Sequence, residues 1–289
     1  RDLHNGRHSF PTRRSSDFGE ALPGAYPGWD NAVAALVTSE AIRALVDLAT
    51  PADFPIHRIP IMVDAQLFAP APKERRIALM PQRRRQDMIA LDHLLRRSAR
   101  MPSGWVIDVI EDRPRTEVAT ALSRAAIFVS GAERDGFGLG GAEAFAAGCH
   151  VVGFAGDGGR EYLTADVATV IRDADLVGLT EAVMATAAAH DQGSAELQDR
   201  TNRGRQRVLE RYSRAALADA LERAVGALEA PDSPARQPVP ATVAHYSVHT
   251  PSAGLITQSR ILARQTGRVW LDLARQARHR QARDRQAHR

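Results

Sequence analysis

Between Ala126 and Ala155 the chain spells out one strand–loop–helix–strand unit, and that unit restricts the fold more than any other feature. The apolar run Ala126–Ser130 predicts a strand. The polar, glycine-rich loop Gly131–Gly138 follows, then a helix of small residues over Leu139–Ala147. The apolar run His150–Ala155 predicts a second strand, and Gly156–Gly159 a second glycine loop. Two strands joined through a helix read as a βαβ unit, because parallel strands need a crossover connection and a helix supplies it.

The same alternation extends in both directions. Strands are predicted over Val33–Thr38, Arg76–Met80, Trp105–Ile110 and Ala168–Arg172. Helices are predicted over Glu40–Leu48 (capped by Ser39), Asp87–Arg97, Arg115–Arg124, Leu176–Ala188, Ala195–Tyr212 and Ser213–Leu228. Short apolar strands alternating with helices give an α/β fold, a Rossmann-like parallel sheet with helices on both faces. Its crossovers are right-handed, and its ligands lie beyond the carboxyl ends of the strands. Residues 81–87, 131–138 and 156–160 all sit at such ends, so three loops converge. Pro51, Pro55 and Pro60 mark a turning segment, and Met62–Phe68 leads to a further proline-rich break.

Composition excludes several classes. No run of about 18 apolar residues exists, so the sequence predicts no spanning helix, and no secretory signal is visible. Cys149 is the single cysteine. One chain therefore holds no disulfide framework and no cysteine-based zinc site, which fits a reducing, cytoplasmic compartment. The net charge of +4 suggests nucleic acid, but its distribution argues otherwise. From Leu255 onward nine arginines face only Asp272 and Asp284, a surplus of seven, so the rest of the chain is slightly acidic. Residues 255–289 read as an Arg-rich helical tail after a Pro/Ser/Ala-rich linker at 230–254. The tail is read as a solvated extension, as a contact with anionic membrane, or as a nucleic-acid arm. The last lacks interleaved aromatics, and no nucleic acid is expected as a partner.

Residues 1–17 fit nothing downstream. The run HSFPTRRSSD resembles a translated sequencing adapter and is set aside as a non-native, disordered scar, the other reading being a disordered basic arm. A scar implies that part of the natural chain before it is missing. Residues 18–72 then read as the remnant of a first domain with its linker, and 73–229 as the ligand-binding domain.

The loop residues suggest chemistry. Gly136 and Gly138 let the backbone approach a ligand. The first helical amides lack partners and favour an anion such as phosphate. Glu143 lies about one turn into the helix, where its carboxylate can accept from both hydroxyls of a cis-diol. Asp135 can grip the hydroxyls of a second sugar. Arg83, Arg84 and Arg85 follow the first strand of this sheet and can neutralise a pyrophosphate. Together these parts describe a site for a nucleoside diphosphate bearing a sugar.

The run Asp135–Gly148, DGFGLGGAEAFAAG, its following Val–Val strand, and Gly158-Gly159-Arg160-Glu161 resemble the group 1 glycosyltransferases of the GT-B fold. So does the upstream stretch Ile59–Phe68. The resemblance covers roughly residues 37–228 and rests on separate segments that agree in order. It implies the second half of a GT-B fold, whose Rossmann-like domain binds the nucleotide-sugar donor, and transfer that is retaining and metal-independent without a cofactor. Carried over, Glu143 holds the ribose, Asp135 the donor sugar, the amides of Phe137, Gly138, Leu139 and Gly140 the sugar and phosphate, and an arginine of 83–85 the diphosphate. Asp135, Glu143 and Arg83 are thus the candidate catalytic residues. Arg84, Arg85, Gly136, Phe137, Gly138, Leu139, Gly140, Gly158, Gly159 and Arg160 are the candidate donor-binding residues. Asp135 stands where the family signature carries Glu. The acceptor, whether glycan, lipid or protein, is not encoded in these motifs, and the chain alone is expected to bind donor but to transfer weakly.

Other readings remain open. Gly136, Gly138 and Gly141 also spell G-x-G-x-x-G, with Asp157 about 20 residues on, the NAD-binding pattern. Five residues separate the predicted strand from that motif, where the pattern expects none. Asp173-Ala-Asp175 matches a metal-binding D-x-D but equally a helix N-cap. Arg160 and Glu161 read either as an exposed pair or as pocket residues. A non-catalytic nucleotide-binding module and a tail-driven membrane adaptor are the alternatives to an enzyme.

Overall fold

The computed structural model describes residues 34–229. The readings for residues 1–17, 230–254 and 255–289 fall outside them. Two parallel sheets organise the described chain. The smaller pairs β1 (Ala35–Val37) with β2 (Ile56–Arg58) around α1 (Glu40–Asp47). The larger holds β3 (Glu74–Leu79), β4 (Val106–Val109), β5 (Ala125–Ala132), β6 (His150–Ala155) and β7 (Thr169–Val170) in the order β4-β3-β5-β6-β7. All its pairings are parallel. Between its strands run α2 (Arg85–Arg97), α3 (Arg115–Arg124) and α4 (Leu139–Ala146). After β7 come α5 (Leu176–Asp191), α6 (Ala195–Arg211) and α7 (Arg214–Glu229).

Alternation along the strands makes two cores, because successive side chains point to opposite faces. Ala78, Phe128 and Val151 face one side, with Leu122, Phe145 and Val208 from α3, α4 and α6. Ile77, Leu79, Ile127, Val129, Val152 and Phe154 face the other, with Leu91 and Val183 from α2 and α5. Every residue of β5 is buried, as expected for a central strand covered on both faces.

The expected elements are present, most with bounds shifted by one or two residues, and the larger differences lie in β2, β7 and α5. β2 was read as part of a turning segment. Its three residues fit between Pro55 and Pro60, and the ladder continues past them through Ala35 N–H to Pro55 O at 2.9 Å and Ile59 N–H to Val37 O at 2.7 Å. β7 is shorter than the predicted run. α5 continues to Asp191 and ends against Gly193, whose φ of +65° suits the position just past a helix end. Ser39 caps α1 as expected, accepting from Ile42 N–H at 3.3 Å. Asp175 caps α5, accepting from Gly178 N–H at 2.8 Å, which favours the capping reading of Asp173-Ala-Asp175.

Cys149 is fully buried, and burial pushes its thiol up to about 11. Lys73 draws α3 and α4 together, its ammonium donating to Leu122 O, Ser123 O and Ala147 O at their carboxyl ends. Among the described residues no helix is long and apolar enough to cross a membrane.

The strand order fixes where a ligand can enter. The chain leaves β3 for β4 on one side, then crosses back to β5 on the other. A crevice therefore opens beyond the carboxyl ends of β3 and β5. The helix that flanks it, α4, packs closely on α6: a Cβ on Gly204 would lie 2.3 Å from the fully buried Phe145 ring. Gly204→Ala is expected to destabilise the protein by about 1–2 kcal/mol, overpacking outweighing the helix propensity gained. Urea unfolding read by circular dichroism measures the difference.

Candidate functional site

Three loops meet at the crevice, and backbone contacts lock two of them together. Asp157 N–H donates to Glu133 O at 3.0 Å and Gly158 N–H to Asp135 O at 2.8 Å. The backbones of Gly136 and Gly158 lie face to face, and a Cβ on Gly158 would fall 2.4 Å from the Gly136 carbonyl. Only glycine fits there. Gly138, the residue before α4, has φ +80° and ψ +54°, a left-handed conformation strained for other residues. The Tyr162 hydroxyl donates to its carbonyl.

This turn leaves a row of amides without backbone acceptors. Among the described residues, the N–H groups of Phe137, Gly138, Leu139 and Gly140 donate to no backbone carbonyl, whereas Gly141 N–H returns to Gly138 O at 3.2 Å. A row of free amides at a helix start is where an anion is held. The Phe137 side chain serves a different purpose. It is buried against the rings of Tyr162 and Tyr212, with centroids 5.2 and 4.7 Å away.

Arg83, from the loop after β3, reaches across the crevice to Asp135, from the loop after β5. Its Nε donates to Asp135 Oδ1 at 2.7 Å. The arginine is 43% exposed and the aspartate 14%, so the pair sits at the mouth of the crevice. Its two sequence neighbours are engaged elsewhere. Arg84, the residue before α2, has φ +46°, lies over the Phe154 ring and pairs with Asp173 and Asp87. Arg85 pairs with Glu111. Of the three arginines, Arg83 alone joins Asp135.

Glu143 faces a separate cluster. Its carboxylate is buried within α4 and accepts from Arg115 Nη2 at 2.8 Å. Arg115 is the first residue of α3, and its guanidinium lies 5.2 Å from the centroid of the Phe68 ring. Burial pushes the Glu143 carboxyl up to about 7, against the pull of Arg115 and with the push of Asp64. Sequence reasoning missed Arg115, Phe68 and Asp64 as one cluster, although Asp64 and Phe68 fall inside the Ile59–Phe68 stretch.

Gly158 and Gly159 are buried in the short 3-10 turn Gly158–Glu161. Arg160 is 75% exposed and near Asp157 of its own turn. The reading of Arg160 and Glu161 as an exposed pair fits Arg160 but not Glu161, whose side chain is 15% exposed. Glu161 accepts instead from Arg58, from the Tyr212 hydroxyl at 2.7 Å and from Glu40 N–H at 3.2 Å. This carboxylate ties the β1–α1–β2 unit to the 3-10 turn and to Tyr212, the residue that follows α6. It is a second residue that local sequence did not single out for its role.

The G-x-G-x-x-G spacing has a packing explanation. A Cβ on Gly141 would stand 3.0 Å from the Tyr162 hydroxyl, and Gly136 is pressed by Gly158. These glycines let the Gly158–Leu163 segment dock on α4. β5 runs two residues further than predicted, so three residues, Glu133–Asp135, still separate the strand from the motif.

No protein-family model matches the chain. A stretch of 93 residues is 39% identical to an alpha-1,6-glucosyltransferase of Actinobacillus pleuropneumoniae serotype 7, covering 31% of this chain and 28% of that protein. The structure superimposes on a sucrose-phosphate synthase of Thermosynechococcus elongatus with a TM-score of 0.56 and 19% identity, over 69% of this chain and 59% of that one. It superimposes equally, at 0.56 and 15% identity, on a TarM mutant of S. aureus solved in complex with UDP, over 70% of this chain and 45% of that one. The described residues therefore carry the Rossmann-like fold of the GT-B glycosyltransferases. The chain spans less than two thirds of the length of these proteins.

The raised carboxyl of Glu143 has a consequence for stability. Its folded value, about 7, lies above the ordinary carboxylate value of 4.5. The folded state thus holds the proton more tightly than the unfolded chain. That contribution is fully present below pH 4.5 and is lost as pH rises through 7. Glu143→Gln is expected to flatten this slope, by on the order of 2–3 kcal/mol between pH 5 and 8. Urea titrations of both proteins at the two pH values provide the comparison.

Proposed function

We propose that this chain binds a nucleoside diphosphate sugar in the crevice between β3 and β5 and belongs to an enzyme that transfers the sugar to an acceptor. The observation that carries the reading is the Arg83–Asp135 pair at 2.7 Å across the crevice, beside four free amides at Phe137–Gly140. One cation and a row of fixed dipoles suit the diphosphate. One carboxylate near the same point suits sugar hydroxyls. The likeness to the alpha-1,6-glucosyltransferase and the shared fold support the same reading.

The chemistry follows from where charge develops. Breaking the sugar–phosphate bond leaves negative charge on the diphosphate and positive charge on the sugar ring. Amides already aimed at the diphosphate oxygens offset the first without reorganising during the reaction. Arg83 exchanges Asp135 for the diphosphate when the donor enters, because two anionic phosphates attract a guanidinium more strongly than one carboxylate. Asp135, released, accepts from the sugar. Glu143 accepts from the ribose hydroxyls. Arg84 and Arg85 act indirectly, holding the loop that presents Arg83, and Gly158 and Gly159 shape the opposite wall.

Calorimetric titration of the full chain tests this reading. UDP or GDP is expected to bind and NAD to give no heat. Arg83→Ala and Glu143→Ala are each expected to weaken nucleotide binding by about tenfold or more, as for loss of a charge-assisted hydrogen bond. A folded chain that binds no nucleoside diphosphate, or binds NAD irrespective of Glu143, overturns it.

The acceptor and any membrane contact form the finer part of the proposal. The surplus of seven positive charges over residues 255–289 favours an anionic lipid surface. The protein is expected to sediment with phosphatidylserine vesicles at low salt and to be released as ionic strength rises. Deletion of residues 255–289 is expected to abolish sedimentation.

A further inference from the structure

Glu143 sits in a place that does not favour a charge. α4 is built of glycine, alanine, leucine and phenylalanine around it, and six of its eight residues are buried. A carboxylate there loses its hydration, and the neutral acid is favoured unless a cation lies within reach. The acceptor role proposed for Glu143 requires the opposite, since a protonated acid turns one of its two oxygens into a donor. The geometry of its surroundings resolves this conflict.

Arg115 supplies the cation. Pro114 holds an extended backbone, with φ −55° and ψ 148°, so α3 begins at Arg115 with its side chain at the helix start. Arg115 Nη2 bonds Glu143 Oε1 at 2.8 Å, while the flat face of its guanidinium rests near the Phe68 ring. Phe68 is fully buried and its N–H returns to Asp64 O at 2.9 Å, so this ring is fixed. Asp64 is itself spent as a turn cap, accepting from Gln66 N–H and Leu67 N–H at 3.1 and 3.0 Å. Arg115 occupies Oε1, and the Glu143 side chain keeps 9% of its surface exposed, which leaves its second oxygen within reach of a ligand hydroxyl.

Other charged groups approach α4 from different sides. Arg205 of α6 donates to Ala146 O, Lys73 to Ala147 O, and the neutral Tyr162 hydroxyl to Gly138 O. These bonds engage the backbone at the ends of α4. The groups that bear on the Glu143 carboxylate are Arg115 and Asp64.

We propose that Arg115 is the positioning residue of the donor site: it favours the ionised form of the buried Glu143 carboxylate over the neutral acid and turns it so that its second oxygen meets the donor's vicinal hydroxyls. Phe68 backs the guanidinium, whose central carbon lies 5.2 Å from the ring centroid, so the stretch between the two sheets helps set the charge of the site. The inference rests on the donor-binding reading, and its test separates the two.

Nucleotide affinity is measured by calorimetry on the full chain from pH 5.5 to 9, with UDP as the probe. The wild type is expected to bind more tightly as pH rises, with a midpoint near 7 where Glu143 ionises. In Arg115→Gln the midpoint is expected to move upward by about one unit, so that affinity at pH 7 falls about fivefold while affinity at pH 9 largely recovers. Arg115→Lys, which keeps the charge without the planar fork, is expected to fall between the two. Phe68→Leu is expected to shift the midpoint in the same direction by less, and provides the test if Arg115→Gln does not fold. A folded variant that loses affinity equally at every pH, with its midpoint unmoved, assigns Arg115 a purely structural role and overturns the inference. A wild type that is folded and binds UDP at no pH instead overturns the donor-binding reading itself.

Discussion

The meeting of two glycine backbones, Gly136 and Gly158, is the constraint on which the site depends. It brings the loop after β5 against the loop after β6 at a distance no side chain permits. Two main-chain hydrogen bonds, into Glu133 O and Asp135 O, then hold the loops in register, and the Tyr162 hydroxyl secures Gly138. With the carbonyls of the turn engaged and φ positive at Gly138, the amides that follow have nowhere internal to point. The vacant donors at the start of α4 are those that any helix leaves at its first turn, and the tight packing behind fixes where they stand. The aromatic trio Phe137, Tyr162 and Tyr212 provides that packing.

Two arginine–carboxylate pairs flank these donors, and their environments give them different roles. Arg83–Asp135 is partly exposed, and a pair in that setting is worth little in stability. It can open when a better anion arrives. Glu143–Arg115 is largely withdrawn from water, where separating the partners is costly. It cannot exchange as readily and acts as a fixed element. On the donor-binding reading proposed above, one pair rearranges around a ligand while the other defines what the ligand meets.

Much of the fold was legible because the pattern was redundant. The strand His150–Ala155 and the helix Arg115–Arg124 match their predicted bounds, since apolar period and end signals agree at both termini. β2 was hidden because three residues between prolines carry no periodicity, and its partner lies about twenty positions upstream. The motif around Asp135 and Glu143 was visible as spacing. Its division into two clusters was not, because Arg83, Arg84 and Arg85 are chemically identical in sequence. Backbone direction at the start of α2 sends one across the crevice, one over Phe154 and one to Glu111.

By itself the sequence determined the parallel α/β architecture, the position of the glycine loops and the carboxylates available to them. Those properties follow from local period, chain direction and residue type, which travel with the chain wherever it goes. The tertiary structure alone decided that Glu143 is paired with Arg115 over Phe68, and that Glu161 joins Arg58, Tyr212 and Glu40. These partners lie 28 to 121 residues apart. Ionisation of a buried carboxylate depends on which distant charges and rings surround it, and only folding assembles them.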